Sequence, residues 1–486
     1  MNYRLITKVI GKTMMTVALL MCFPLIVALI YGEYDKILSF VLPMCCLFAV
    51  GIPLSIVPQN GKGLCAKDGF VIVALCWILF SLVGALPYVI SGEIDHYVDA
   101  FFETVSGFTT TGASILDNVD VLSKSIMFWR MFTHWIGGMG VLVFVLTVIP
   151  ESEACGTYIF SAESPGPSAT KLAGKMKHTA QILYGIYIVM SIICTIFLYF
   201  GDIGLYDSLL NMFSTAGTGG LSVHNGSIAY YNSPYIEIVL AVFMFLFSVN
   251  FNVYFLIITG NVLKAIKSEE FLTYAIMTVV SSFLIALNIT SSMSNFGDAL
   301  RCAFFQVTSI SSTTGFSSVN FDTWPTFSKC VLLFLMLIGA CGGSTGGGLK
   351  VSRFVILAKS CFANVRKTVN HREVVSVSFE KKPITKTLMS GVCTFFALYI
   401  FIIIASTLLL SIDTKFVAAQ GDVLTHFTAS LTCISNVGPG LNFVGPICSF
   451  SQYSAFSKCV LSFVMLAGRL EIYPILILFA PRTWKK

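Results

Sequence analysis

The sequence predicts an all-α polytopic membrane protein: four pseudo-repeats of helix, pore loop and helix around a central pore, plus an N-terminal helix pair. Three observations predict it. The 486 residues are 56% hydrophobic and only 11% charged, against roughly 25% charged in a soluble domain. Apolar windows long enough for a bilayer core of roughly 30 Å recur from end to end. A short polar motif, seen as "SSTTGFSS" at 311–318, returns four times between those windows.

The windows are 13–31, 36–57, 70–90, 126–149, 180–200, 235–259, 271–290, 329–341, 388–411 and 456–480. They read as about ten crossings, all helical, because lipid exposure demands a backbone that pairs within its own segment. The alternating segments of a β-barrel are absent. Residues 1–31, with Arg4, Lys8 and Lys12 ahead of an apolar run, resemble a signal peptide. The run is long, contains Pro24 and lacks a small-residue cleavage site, so it is read as the first membrane helix. The 15 cysteines stand mostly singly in apolar segments, and neither they nor the six histidines show metal-ligand spacing.

Loop charge sorts by sign. Segment 350–386 carries nine lysines and arginines against Glu373 and Glu380. Lys62/Lys67, Lys171/Lys175/Lys177, Lys264/Lys267 and the tail Arg482/Lys485/Lys486 are basic too. The other loops lean acidic, through Glu93, Asp95, Asp99, Asp117, Asp120, Asp202, Asp207, Asp298, Asp322, Asp413 and Asp422. The positive-inside rule places the basic loops and both termini in the cytoplasm. Segment 350–386 also suits anionic lipid or a cytoplasmic partner, although topology alone accounts for its charge.

The four motif windows are "FFETVSGFTTTGAS" (101–114), "SLLNMFSTAGTGGL" (208–221), "FFQVTSISSTTGFS" (304–317) and "FTASLTCISNVGPG" (427–440). They align on Gly112, Gly219, Gly315 and Gly438, spaced 107, 96 and 123 residues apart. Asp99, Asp207, Asp298 and Asp422 precede them as expected helix N-caps. About ten residues of helix rise roughly 15 Å, half a bilayer. Each window therefore reads as a half-helix dipping in from outside, followed by an extended return strand. Non-helical backbone at that depth must be buried in protein or line a watery cavity. The units expected are 1–60 (helix pair), then repeats at 61–177, 178–268, 269–385 and 386–486.

The strand residues carry the expected chemistry. Thr110, Thr111 and Gly112; Gly217, Thr218 and Gly219; Thr313, Thr314 and Gly315; and Asn436, Val437 and Gly438 supply backbone carbonyls that replace a cation's water. Glycine permits backbone dihedrals closed to other residues. Glu103 is the one formal charge near the aligned glycines, which argues for carbonyl coordination of a monovalent cation over an acidic ring for Ca²⁺ or Mg²⁺.

At these residues the chain closely resembles the Trk-type potassium uptake proteins, the TrkH branch of the Trk/Ktr/HKT superfamily. The motifs are "VSGFTTTGAS", "FSTAGTGGLSVHN", "SSTTGFSSVNFDTWP", "GACGGSTGGGLKVSR", "WRMFTHWIGGMGVLV" and "AGRLEIYPILILFAPRTW". The resemblance implies a single-chain pore, a homodimer, K⁺ uptake across the bacterial inner membrane, and a cytoplasmic TrkA-type ring of nucleotide-binding subunits that gates it. It implies that the aligned glycines are filter glycines, with K⁺ as the transported ion and no cofactor. In plant relatives a serine at the first of these positions accompanies Na⁺ preference, and here it is Gly112. The chain departs from the family at Gly217 in "AGTGG" and at Pro474 after "GRLEIY".

"GACGGSTGGGLK", 339–350, puts six glycines where a helix should continue. At about 1 kcal/mol each relative to alanine, they break it. A phosphate loop is rejected, because Leu349 follows Gly348 where the motif needs Lys-Ser/Thr. The resemblance makes Gly342, Gly343, Ser344, Thr345, Gly346, Gly347 and Gly348 a gate beneath the filter. Arg469, within the last apolar segment, costs about 2.5–3.5 kcal/mol at mid-membrane. It either pairs with Glu471 or a neighbouring carbonyl, or faces the pore as an electrostatic barrier. Arg130 is expected to cap a helix at the interface. An H⁺- or Na⁺-coupled symporter is the alternative transport reading. It has few buried acids to use, namely Glu103, Glu237 and Glu471, and the repeat is fourfold rather than twofold. A membrane-embedded lipid-modifying enzyme lacks a catalytic cluster, and nothing suggests nucleic-acid binding.

Overall fold

The computed structural model describes residues 3–58, 66–140, 176–370, 376–413 and 422–484. Lys62, Lys171, Lys175, Glu373, Lys485, Lys486 and the end of window 126–149 lie outside them. Among the described residues, six helices are long and apolar enough to cross a membrane: Tyr3–Tyr31, Tyr34–Ser55, Lys67–Ile90, Ala180–Tyr199, Glu269–Ser292 and Lys386–Leu410. The protein is multi-pass and helical. The strands described are one two-residue hairpin, Ser378–Phe379 against Lys382–Pro383.

The first two spans pack on each other where neither has a side chain. A Cβ on Gly11 would lie 2.8 Å from the Gly51 carbonyl oxygen, and one on Gly51 would lie 2.9 Å from that of Gly11. Small residues at such crossings let backbones approach, the usual basis of helix association in lipid.

Each of the other four spans leads to a half-helix: Tyr97–Phe108, Leu205–Gly217, Phe296–Ser311 and Val423–Ser435. Only Asp422 is an N-cap, accepting from the Thr425 N–H at 2.9 Å. Asp99, Asp207 and Asp298 sit inside the first turn, and the caps are His96, Gly204 and Asn295. The aspartates still complement the positive end of the helix dipole, which does not require the cap position.

The second helix of every repeat is short and interrupted, whereas the sequence indicated a break in the third alone. Lys124–Gly138, Pro234–Phe247, Thr326–Ile338 and Ala455–Arg469 have 13 to 15 residues. At 1.5 Å per residue each covers roughly 20 Å, short of a bilayer core. Pro234–Phe247 turns by 88° into Phe251–Ile258, so window 235–259 is not one straight crossing. Thr326–Ile338 gives way to a loop and resumes as Val351–Val369. Ala455–Arg469 ends at Glu471 and Ile472, both at positive φ, and Pro474 then opens a new helix, Tyr473–Phe479, rather than bending an old one.

Beside a large apolar core, the interior holds many hydroxyls and the outer surface many apolar side chains. Thr308, Ser309, Ser311, Ser312, Thr313 and Thr314 are fully buried, while Ile188, Ile192 and Ile196 are exposed. Hydroxyls close to a backbone find partners inside, and the apolar side chains meet lipid.

Candidate functional site

All four half-helices end the same way. A residue in the left-handed region follows: Thr110 (φ 54°), Thr218 (54°), Thr313 (62°) and Asn436 (55°). The next N–H donates to the carbonyl five residues back: Thr111 to Ser106 (2.9 Å), Gly219 to Ser214 (2.8 Å), Thr314 to Ser309 (2.9 Å) and Val437 to Thr432 (3.0 Å). Then comes a glycine at positive φ: Gly112 (79°), Gly220 (77°), Gly315 (87°) and Gly438 (103°). The second repeat therefore stands one residue away from its sequence alignment. Gly220, not Gly219, matches the other three glycines, and Gly219 takes the place of Thr111, Thr314 and Val437. The doubled glycine hid this, since either one fits a motif that asks only for a glycine.

The four strands close on each other in order. A Cβ on Gly112 would lie 2.0 Å from the Gly219 oxygen, and one on Gly220 would lie 2.0 Å from the Thr314 oxygen. One on Gly315 would lie 1.9 Å from the Val437 oxygen, and one on Gly438 would lie 2.7 Å from the Thr111 oxygen. Each glycine thus abuts a carbonyl of the next repeat, and the fourth returns to the first. No side chain fits at these four positions, for a reason of backbone contact as well as of dihedral angle.

Hydroxyls hold the curvature behind the strands. The Thr109 and Thr111 hydroxyls lie 2.8 Å apart, as do those of Ser312 and Thr314 at 2.7 Å, and Ser309 donates to the Phe316 carbonyl at 2.6 Å. Asn436 Nδ2 donates to Thr111 Oγ1 at 2.8 Å, joining the fourth strand to the first. In the second repeat His134 does this filling. A Cβ on Gly219 would sit 1.6 Å from His134 Nδ1, and one on Gly217 would sit 2.3 Å from the His134 carbonyl oxygen. The His134 backbone thus occupies the space beside Gly217, and the His134 ring the space beside Gly219.

Arg130 does not cap a helix at an interface. It is buried mid-helix, with Nε 2.7 Å from Glu103 Oε1, Nη2 donating to Ser114 Oγ at 3.1 Å and Nη1 donating to the Ser222 carbonyl at 3.0 Å. Glu103 accepts from the Ser114 hydroxyl at 3.0 Å and the Ile115 N–H at 3.0 Å. The pair braces the return strands of the first two repeats.

Two cavities flank the ring. The outer one, about 440 Å³, is lined by Gly112, Gly220, Gly315 and Gly438 together, and by Asp117 and Ser449. The inner one, about 60 Å³, is lined by Gly138, Gly343, Ser344, Gly346, Gly347, Gly348, Lys350 and Arg469 among others. The glycine loop fills the space between. The Cys341 N–H donates to the Ser248 carbonyl (3.2 Å), the Phe251 N–H to the Gly343 carbonyl (3.0 Å) and Thr345 Oγ1 to the Phe247 carbonyl (3.1 Å), so the loop is strapped to the bend of the second repeat. The Gly342 N–H donates to Glu270 at 2.7 Å, and the Gly347 N–H donates to Thr313 Oγ1 at 2.6 Å, directly under the third strand.

Arg469 is the last residue of its helix rather than an interior one. It donates to the Thr345 carbonyl (2.8 Å), to the Gly138 carbonyl (2.8 Å), to the Gly137 carbonyl and to Thr110 Oγ1 (3.3 Å). It thus ties the loop, the end of the first repeat's second helix and the first strand. Glu471 receives Arg353, whose Nη1 is 3.1 Å from Oε1. Of the readings open for Arg469 in the sequence, the one with neighbouring carbonyls describes its bonds. The Glu103–Arg130 pair, Glu270, His134 and Gly220 were missed as a set, because each depends on a partner 27 to 94 positions away in the chain.

A family model described as TrkH, cation transport protein, matches residues 43–486. The chain is 32% identical to the Trk system potassium uptake protein TrkH of Escherichia coli (strain K12), and 31% identical to that organism's TrkG. Both alignments cover all of this chain and 100% and 99% of the relative. The crystal structure of the potassium transporter TrkH from Vibrio parahaemolyticus superposes with a TM-score of 0.89 at 30% identity, covering the whole of both chains.

Proposed function

The chain belongs to the TrkH family of cation transport proteins, and from that premise we propose that it takes up K⁺ across a bacterial inner membrane through a channel-like pore. The observation that carries this reading is the closed ring of glycine-to-carbonyl contacts linking Gly112, Gly220, Gly315 and Gly438 to Gly219, Thr314, Val437 and Thr111. Backbone carbonyls of Thr110, Thr111, Gly112, Thr218, Gly219, Gly220, Thr313, Thr314, Gly315, Asn436, Val437 and Gly438 replace the water that K⁺ sheds. Gly217 closes the second half-helix behind them. The half-helices end at the strands, so their partial negative charge falls near the ion.

The loop Gly342, Gly343, Ser344, Thr345, Gly346, Gly347 and Gly348, pinned by Arg469, is the gate, and the small inner cavity is its closed form. Opening breaks the bonds to Glu270, Thr313 and Arg469. The work comes from a cytoplasmic TrkA-type nucleotide-binding ring, and the transporter is a homodimer with both termini in the cytoplasm. Proton coupling is not routed through Glu103, Glu237 or Glu471, each of which faces an arginine: Glu103 with Arg130, Glu237 with Arg301 at 3.0 Å, and Glu471 with Arg353. Glu270, buried as well, is held by the Gly342 N–H instead. The test is ⁸⁶Rb⁺ uptake into liposomes containing the purified protein. Saturable uptake displaced by K⁺ and little affected by Na⁺ or an imposed pH gradient is expected. Uptake that needs the pH gradient would sink the channel-like reading and leave the symporter.

A further inference from the structure

A cavity of about 500 Å³ lies far along the chain from the ring residues, between Phe251–Ile258, the short helix Val262–Ile266 and the 378–383 hairpin. Lys264, Lys267, Lys381 and Lys382 line it, over Val253, Leu256 and Leu263. None of the four lysines makes an ion pair among the described residues. Glu380, the acid at its wall, is spent elsewhere: it accepts from the Ser268 hydroxyl at 2.8 Å and the Glu270 N–H at 3.2 Å. The cavity therefore offers four ammonium groups to one committed carboxylate. Its apolar side runs into Ile257, Ile258, Val262, Leu263 and Ile266, which are 42% to 72% exposed. An aqueous surface would penalise that face, and acyl chains would cover it.

We propose that this cavity holds the phosphate headgroup of an anionic phospholipid, with its acyl chains on Leu256 and Leu263. Four basic groups over an apolar wall match a phosphodiester joined to hydrocarbon, whereas a soluble anion would leave the wall bare. The inference rests on the orientation proposed above, which puts these lysines on the cytoplasmic leaflet. Occupancy would also reach the loop through few links. The carboxylate of Glu380 caps the helix that begins at Glu269, and Glu270 in that first turn holds Gly342.

The experiment is binding, not transport, so its outcome is independent of whether the pore reading holds. Purified full-length protein in neutral detergent micelles is titrated with phosphatidylglycerol bearing a fluorescent acyl chain. Each lysine near an anionic surface contributes roughly fivefold. Replacing all four (Lys264→Gln, Lys267→Gln, Lys381→Gln, Lys382→Gln) should weaken binding at least tenfold, while the four Lys→Arg changes should retain it. Unlabelled phosphatidylglycerol should compete, and phosphatidylcholine and inorganic phosphate should not. Equal affinity in the Gln variant, with wild-type elution and melting, would overturn the proposal. So would displacement by inorganic phosphate, or no preference for phosphatidylglycerol over phosphatidylcholine, which would leave the lysines to a soluble partner.

Discussion

Replacing Gly315 by serine strikes the ring where its geometry is tightest. The new Cβ would start 1.9 Å from the Val437 carbonyl oxygen and 2.8 Å from Pro439 Cδ, where ordinary contact begins near 3.4 Å. One of the two strands must therefore retreat by about 1.5 Å, and backbone, not a flexible side-chain end, is what it meets. The φ of 87° adds about 1–2 kcal/mol of strain for any residue with a β-carbon. Val437 is fully buried, so its carbonyl has no free space to turn into. Losing one charge-assisted contact to the ion is worth about 1.5–3 kcal/mol, or at least tenfold in ion binding. The assay is initial ⁸⁶Rb⁺ uptake in proteoliposomes at matched protein, with Na⁺ as competitor. Gly185→Ser serves as control, because a Cβ there meets nothing within 4 Å. Uptake should fall at least tenfold and Na⁺ should compete better. Wild-type rate and selectivity in Gly315→Ser would refute the carbonyl-ring reasoning, since no ion could then be using that seam.

Arg469→Ala removes donors to three carbonyls and a positive charge from beneath the strands, and should raise ⁸⁶Rb⁺ flux severalfold without altering selectivity. Glu270→Gln keeps the shape but weakens the hold on the Gly342 N–H, so basal flux should rise more modestly; loop opening can be followed by the accessibility of Cys341, which is fully buried at rest. Arg130→Met strands the Glu103 carboxylate in the interior and should cost about 3–5 kcal/mol, seen as a lowered melting temperature; adding Glu103→Leu should recover most of that loss. Gly220→Ala should abolish uptake as fully as Gly112→Ala, because both positions share the positive φ and the 2.0 Å approach to the next strand.

Hydropathy, the loop charges and the four polar windows were enough to read a helical membrane protein with a fourfold element. These are local signals: a span needs about 20 apolar residues in a row, and a half-helix followed by a glycine needs about a dozen. Gly112, Gly315 and Gly438 were legible for that reason, as was the six-glycine break. Four things were decided only by tertiary structure. The place of Gly220 follows from which glycine meets the Thr314 carbonyl, and two adjacent glycines carry no side chain to tell them apart. The second helices end where they press on half-helix backbone: a Cβ on Gly137 would lie 1.9 Å from the Phe108 carbonyl oxygen and one on Gly468 would lie 2.1 Å from that of Ile434, approaches between segments that no local run of residues announces. Arg130 and Glu103 become a brace, and Arg469 a clasp on carbonyls, because a charge in a dry interior takes whatever partner the fold brings within reach. Composition states that such charges need partners; which partners they find is set by contacts between distant segments.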